Sequence, residues 1–276
     1  MGFISEVIKF IIYCSVIVLI SKYILVKLIR RLGENLKLSS KAIGSIAGFT
    51  TSAPELLTVA ASSINGLMGA SLYNILSSNV INFVQYMASI FINKNQKLLK
   101  NKVIKVDIVL VIATILLPII FIAVNLEINI LTVVIFLILY FIFKRIDENT
   151  HKLYMLNSGK DESAKNKKKH WVKSIKYIVF LILTSILLFI VGDMLGKTLE
   201  NLCYRFNIPE LVVGILLGII TSIPELITFF ESQKHHKQSN NDEEGVIEAT
   251  NNLFTSNILN LFIIQSIGVL IYTFFA

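Results

Sequence analysis

The chain has 276 residues, 54% hydrophobic and only 16% charged; its mean hydropathy of +0.71 lies outside the soluble range, where about a quarter of residues are charged. Apolar runs of roughly 20 residues, long enough to span a bilayer, recur along it, so the expected class is an all-α polytopic membrane protein set in a lipid bilayer. The net charge of +8 calls for no nucleic acid, because nearly all Lys and Arg fall in four regions between apolar spans, the positive-inside bias of membrane proteins.

About eight transmembrane helices are expected. The first covers roughly 5–29; its basic residues Lys22, Lys27, Arg30 and Arg31 follow the apolar core, the reverse of a cleavable leader, which places the N-terminus outside. The second, 41–64, carries Pro54 and Glu55 in mid-run, and Asn65-Gly66 turns the chain into the third, 67–92. A basic loop from Lys94 to Lys105 leads to the fourth, 106–124, where Pro118 reads as a kink. Residues 125–129 separate it from the fifth, 130–143. Residues 144–173, with Lys167-Lys168-Lys169, read as a solvated cytoplasmic linker. The sixth span is expected at 175–195, the seventh at 209–230 with Pro224 and Glu225 inside it, and the eighth at 246–275 after a polar loop, 231–244. This divides the chain into a first transmembrane repeat at 1–145, the linker at 146–172, and a shorter second repeat at 173–276. Five spans precede the linker, an odd number, so the second repeat is expected to enter the membrane inverted. Inverted-topology repeats with broken helices are a transporter architecture in the cell membrane.

Chemistry concentrates in the two broken helices. Thr51-Ser52-Ala53-Pro54-Glu55 recurs as Thr221-Ser222-Ile223-Pro224-Glu225, and Gly44/Gly48 recur as Gly214/Gly218. A carboxylate at membrane depth costs upward of about 2.5 kcal/mol and is by default functional. The proline leaves a carbonyl one turn back without its donor, tolerated in hydrocarbon only where the backbone faces protein or a wet cavity. Thr51 and Ser52 precede Glu55 by about one helical turn, as Thr221 and Ser222 precede Glu225, so each trio shares a face. Each broken helix is followed by a polar stripe, Asn74, Ser78 and Asn82 in the first half and Asn252, Ser256 and Asn260 in the second. The paired glycines permit close helix approach and free backbone carbonyls near the break. Carboxylates, hydroxyls and amide carbonyls are hard oxygen donors suited to Ca²⁺ or Na⁺, and two glutamates balance one Ca²⁺ or two monovalent ions. No Cys or His lies in either repeat core, which disfavours soft metals.

Other groups carry weaker signals. Cys14 and Cys203 read as packing residues, and Asp107, Asp193 and Glu231 as carboxylates near helix ends with access to water. His235-His236 with Asp242, Glu243 and Glu244 is a weak candidate for a metal-sensing loop. No nucleophile triad, Walker loop or metalloprotease helix is present, so no enzyme and no organic cofactor is expected.

The two motifs resemble the alpha repeats of the cation/calcium exchanger superfamily, over about 41–92 and 208–262. The family pattern G-T-S-x-P-E followed by G-N-x-x-G-S-N-x-x-N is similar to Thr51–Glu55 with Asn74–Asn82, and to Thr221–Glu225 with Asn252–Asn260. The resemblance implies an alternating-access antiporter exchanging Ca²⁺ for Na⁺ at a midplane site. Glu55 and Glu225 would be the shared central ligands, and Thr51, Ser52, Thr221 and Ser222 would line the ion sites. Ser78 and Ser256 would serve flanking Na⁺ sites, Asn82 and Asn260 would complete the centre, and carbonyls near Gly48 and Gly218 would contribute. The sequence departs from the pattern at Thr50 and Ile220, where the family has glycine before Thr-Ser, and at Ser77 and Thr255, where it has glycine before Ser-Asn. The family commonly has ten helices, five per repeat, whereas eight are expected here; a homodimer or other partner would then cover the open side. Alternatives are H⁺-coupled exchange of Ca²⁺ or another divalent cation, and a non-transporting paralogue acting as ion sensor or assembly subunit.

Overall fold

The computed structural model describes residues 2–124, 129–157, 171–206 and 208–275, which form eight helical rods with no strand among them. Residues 125–128 and 158–170, with Lys167–Lys169, lie outside the described residues, as do the side chains of Cys14 and Cys203.

The first rod joins α1 (Phe3–Ile20) to α2 (Val26–Leu36) through a π-helical turn. Next come α3 (Ser40–Thr51) and α4 (Ala53–Ile64), two halves of one rod interrupted at Ser52, whose φ −78° and ψ 2° leave the helical region. Pro54 falls in the first turn of α4, where a missing N–H is tolerated. Then α5 (Met68–Ile92), α6 (Lys102–Ala123), α7 (Ile130–Asn157) and α8 (Trp171–Phe206) follow. The second broken rod is α9 (Glu210–Thr221) with α10 (Ile223–Lys237); Ser222 has φ −80° and ψ −1°, almost the geometry of Ser52. The last rod joins α11 (Asp242–Ile258) to α12 (Gln265–Phe275) through a second π-helical turn. Among the described residues five segments are long and apolar enough to cross a membrane, namely Met68–Ile92, Lys102–Ala123, Ser174–Leu202, Glu210–Lys237 and Asp242–Phe275.

Three sequence expectations change. The 231–244 loop shrinks to a short turn, because α10 continues to Lys237 and α11 begins at Asp242. The fifth span does not end near Phe143 but runs on as helix to Asn157, taking in half of the expected linker. The sixth likewise extends well past Leu195, to Phe206.

The halves interlock instead of standing side by side. Helix α3 lies along α11 and α9 along α5, so each broken helix packs on the polar-striped helix of the other repeat. The glycines set that distance. A Cβ on Gly48 would sit 2.6 Å from the Asn252 carbonyl oxygen and 3.0 Å from the Ser256 nitrogen. A Cβ on Gly218 would meet Ser77 Oγ, with the Ser78 nitrogen at 2.8 Å and the Asn74 carbonyl oxygen at 2.9 Å. Backbone contact this close admits no side chain. Ser77 and Thr255, which replace the expected glycines, face Gly218 and Gly48, so their bulk is absorbed across the helix pair. At one end of the bundle Glu210, first residue of α9, accepts from the Ala70 amide at 2.9 Å, placing a negative charge on the positive end of α5. Outside this centre the apolar core falls into two clusters. One joins α5, α6, α7, α10, α11 and the π-helical turn after α11 around Tyr86, Phe136 and Phe262. The other joins α1, α2, α3, α8 and α9 around Ile17, Leu188 and Leu217.

Candidate ion site

Every polar residue singled out in the two repeats is buried. Thr51, Glu55, Asn74, Ser78, Asn82, Thr221, Ser222, Glu225, Asn252, Ser256 and Asn260 have no solvent exposure, and Ser52 has 2%. Their hydrogen bonds follow a two-fold pattern. Ser52 Oγ lies 2.9 Å from Ser256 Oγ, while Ser222 Oγ donates to the Ser78 carbonyl at 3.5 Å. Asn74 Nδ2 donates to Thr58 Oγ1 at 2.7 Å, and Asn252 Nδ2 makes the matching bond to Thr228 Oγ1. Thr221 borders the carboxylate of Glu55, and Thr51 that of Glu225. Each acid is thus met by the threonine of the opposite repeat.

Ser256 links the Glu225 carboxylate to the stripes: its hydroxyl donates to Glu225 Oε1 at 3.0 Å and accepts from Asn82 Nδ2 at 3.3 Å. Ser78 Oγ lies 3.3 Å from Thr221 Oγ1 and donates to Asn74 Oδ1 at 3.4 Å.

The sequence reading missed the residues on the symmetry axis. Asn79 and Asn257, 178 positions apart, each donate a side-chain N–H to the other's backbone carbonyl, at 3.2 and 3.1 Å. Asn82 then donates to Asn257 Oδ1, and Asn260 to Asn79 Oδ1. Both axis residues stand inside the repeated motif but off the stripe that drew attention. A residue facing its own counterpart across a two-fold axis is the signal that would have found them.

After this bonding, acceptors remain without donors. Glu55 Oε1 and Oε2, Glu225 Oε2, Asn82 Oδ1, Asn252 Oδ1 and Asn260 Oδ1 are buried and have no hydrogen-bond partner. Buried polar atoms normally have one. All six are oxygens, the two repeats each contribute three, and two of the side chains are acids. Such a set can hold a hard cation.

Two further buried clusters lie at the end of the bundle where the basic connections collect. Glu248, on the face of α11 that also carries Asn252, pairs with Arg30 at 2.8 Å, His236 at 3.0 Å and Ser232 at 2.7 Å. His236 therefore does not gather with Asp242 and Glu244 into a metal-sensing loop; Glu243 instead bonds Asn101 and Tyr154. Asp107 also departs from expectation. It is 1% exposed instead of reaching water, because the extension of α7 covers it with His151 and Asp147. Burial alone would lower His151, but its hydrogen bond with Asp107 and the adjacent Asp147 carboxylate outweigh that and hold the imidazole above its ordinary value. Asp193 pairs with Lys197 at the surface, as expected of a carboxylate with access to water.

Two interlocked repeats of inverted topology, each with a broken helix whose acid is buried against the other, define a polytopic membrane transporter fold. The family model described as sodium/calcium exchanger protein matches residues 7–146 and 176–275. The chain belongs to that family, which is a family of membrane cation exchangers and not of enzymes. No curated protein matches it closely. Among solved structures it is similar to the sodium-calcium exchanger NCX_Mj soaked with 100 mM Na⁺ and 10 mM Sr²⁺, at 20% identity and a TM-score of 0.62, covering 98% of this chain and 83% of that one. A second structure of the same exchanger, soaked with 10 mM Na⁺ and zero Ca²⁺, gives 20% identity, a TM-score of 0.60 and coverage of 98% and 84%.

Proposed function

We propose that the protein exchanges Ca²⁺ for Na⁺ by alternating access, with Glu55 and Glu225 as the ligands both ions compete for. The observation that carries this reading is the set of six donorless buried oxygens, three from each repeat. Ca²⁺ takes six to eight oxygens, and an unpaired acceptor in hydrocarbon is too costly to persist without a ligand. Two carboxylates match one Ca²⁺ in charge, or two Na⁺. Thr51, Ser52, Thr221 and Ser222 line the ion path beside the acids, Ser78 and Ser256 flank it, and Asn82 and Asn260 close the centre. Asn74 and Asn252 hold the threonines one turn along, while Gly48 and Gly218 bring the helices close enough for all of these to converge.

Coupling follows from electrostatics. Two ionised carboxylates sharing one desolvated pocket repel each other, so the doubly ionised empty pocket resists occlusion. Either cation load removes that penalty, and both cannot be present at once. Each reorientation therefore carries one load or the other. In vesicles of reconstituted protein, Glu55→Gln and Glu225→Gln should each abolish Na⁺-gradient-driven ⁴⁵Ca²⁺ uptake. Uptake at the unmutated rate in either variant removes this reading.

A further inference from the structure

Asp107, Asp147 and His151 lie outside the exchange site and outside both repeat motifs. Each can offer one ligand atom, these atoms all lie within 4.8 Å of one another, and all three residues are buried. His151 Nε2 stands 3.1 Å from Asp107 Oδ2 and 3.2 Å from Asp147 Oδ1. Asp147 and His151 are one turn apart on α7, and Asp107 comes from α6. An ion pair alone leaves this cluster underbonded. A single Nε2–H cannot serve both carboxylates fully, and Asp107 Oδ1, on a side chain 1% exposed, has no hydrogen-bond partner.

We propose that this cluster is a second cation site, for a borderline divalent transition metal of the Zn²⁺ class held by one imidazole nitrogen and two carboxylate oxygens. The spacing supports it. Ligands about 2.05 Å from a tetrahedral Zn²⁺ stand about 3.3 Å from each other, close to the 3.1 and 3.2 Å separations already in place. Hard Ca²⁺ has no use for the nitrogen, whereas imidazole with carboxylate suits Zn²⁺ and its neighbours. A cavity of about 760 Å³, lined by Lys41, His151 and His236 among others, opens beside the His151 ligand. It would give the ion an entry path, with room for a water as fourth ligand.

The site also touches the exchange machinery. Lys41, in the first turn of α3, pairs with Asp147 Oδ2 at 2.7 Å. A metal on Asp147 Oδ1 would compete with Lys41 for the same carboxylate's charge and so loosen the start of the helix that ends at Thr51 and Ser52. Metal occupancy would thereby change how firmly α3 is tied to α7, a regulatory input distinct from the transported ions.

Co²⁺, whose visible d–d bands report nitrogen-and-oxygen tetrahedral ligation, is the probe. Full-length protein in detergent, carrying Glu55→Gln and Glu225→Gln to remove binding at the exchange site, is titrated with Co²⁺ alone. The expected result is one site per chain with d–d bands, displaced by Zn²⁺ and weakened at least about tenfold by His151→Gln. Lys41→Met removes the competing cation and should tighten Co²⁺ binding, an effect opposite to that of breaking a purely structural ion pair. Absence of intense tetrahedral d–d bands, bands indifferent to His151→Gln, or binding unchanged or weakened in Lys41→Met would each overturn the proposal. The glutamate variants keep its failure separate from failure of the exchange reading.

Discussion

Gly218→Ala puts one methyl group where α9 crosses α5. Its Cβ would sit 2.8 Å from the Ser78 nitrogen and 2.9 Å from the Asn74 carbonyl oxygen, besides meeting Ser77 Oγ. The serine can rotate away; the two backbone atoms cannot. Carbon contacts are comfortable at about 3.5–4.0 Å, so α9 must back off by the better part of an ångström along the seam that joins Thr221 to Ser78. Overpacking of this kind costs typically about 1–3 kcal/mol. The consequence for ion binding should be larger than for folding, because displacement of that seam separates Thr221, beside Glu55, from the hydroxyl of Ser78. Thermal unfolding in detergent should show a modest loss, while Ca²⁺ affinity and Na⁺-driven ⁴⁵Ca²⁺ uptake fall steeply. Ser77→Gly in the same chain should recover little, since the backbone clashes remain. Gly218→Ala with unchanged stability and unchanged uptake would refute the argument that this approach distance is what assembles the site.

Three more substitutions test separate parts. Ser256→Ala removes the hydroxyl shared by Ser52, Asn82 and Glu225; leaving buried partners unsatisfied costs about 1–3 kcal/mol, and the Na⁺ dependence of uptake should shift more than folding stability. Asn257→Ala removes the side-chain bond to the Asn79 carbonyl and the amide oxygen that accepts from Asn82, and should lower stability by a similar amount, measured by chemical unfolding. Glu248→Gln leaves Arg30 and His236 against a neutral partner at 2% exposure; breaking such a pair costs about 3–5 kcal/mol, seen as poor yield and a lowered unfolding temperature with little response to salt.

What the sequence displayed well was whatever repeats along the chain. Pro54 with Glu55 and Pro224 with Glu225 locate the breaks because a helix cannot absorb either residue in hydrocarbon silently, and the polar stripes follow from helical periodicity. What stayed hidden depends on contacts between distant segments. Asp107 lies near the start of α6 and looked wet; only the helical continuation of α7 past Phe143 brings His151 over it. His235 and His236 sit beside an acidic triplet in sequence, yet His236 turns to Glu248 on α11. Asn79 and Asn257 were passed over because a stripe of one helix says nothing about which residue meets its twin across the axis.

Equilibrium ⁴⁵Ca²⁺ binding to purified protein, with Na⁺ as competitor, tests most directly whether the two acids form a single pocket. Glu55→Gln alone and Glu225→Gln alone should each eliminate Na⁺-displaceable Ca²⁺ binding in folded protein. Retention of such binding in one of the two variants would contradict the shared pocket.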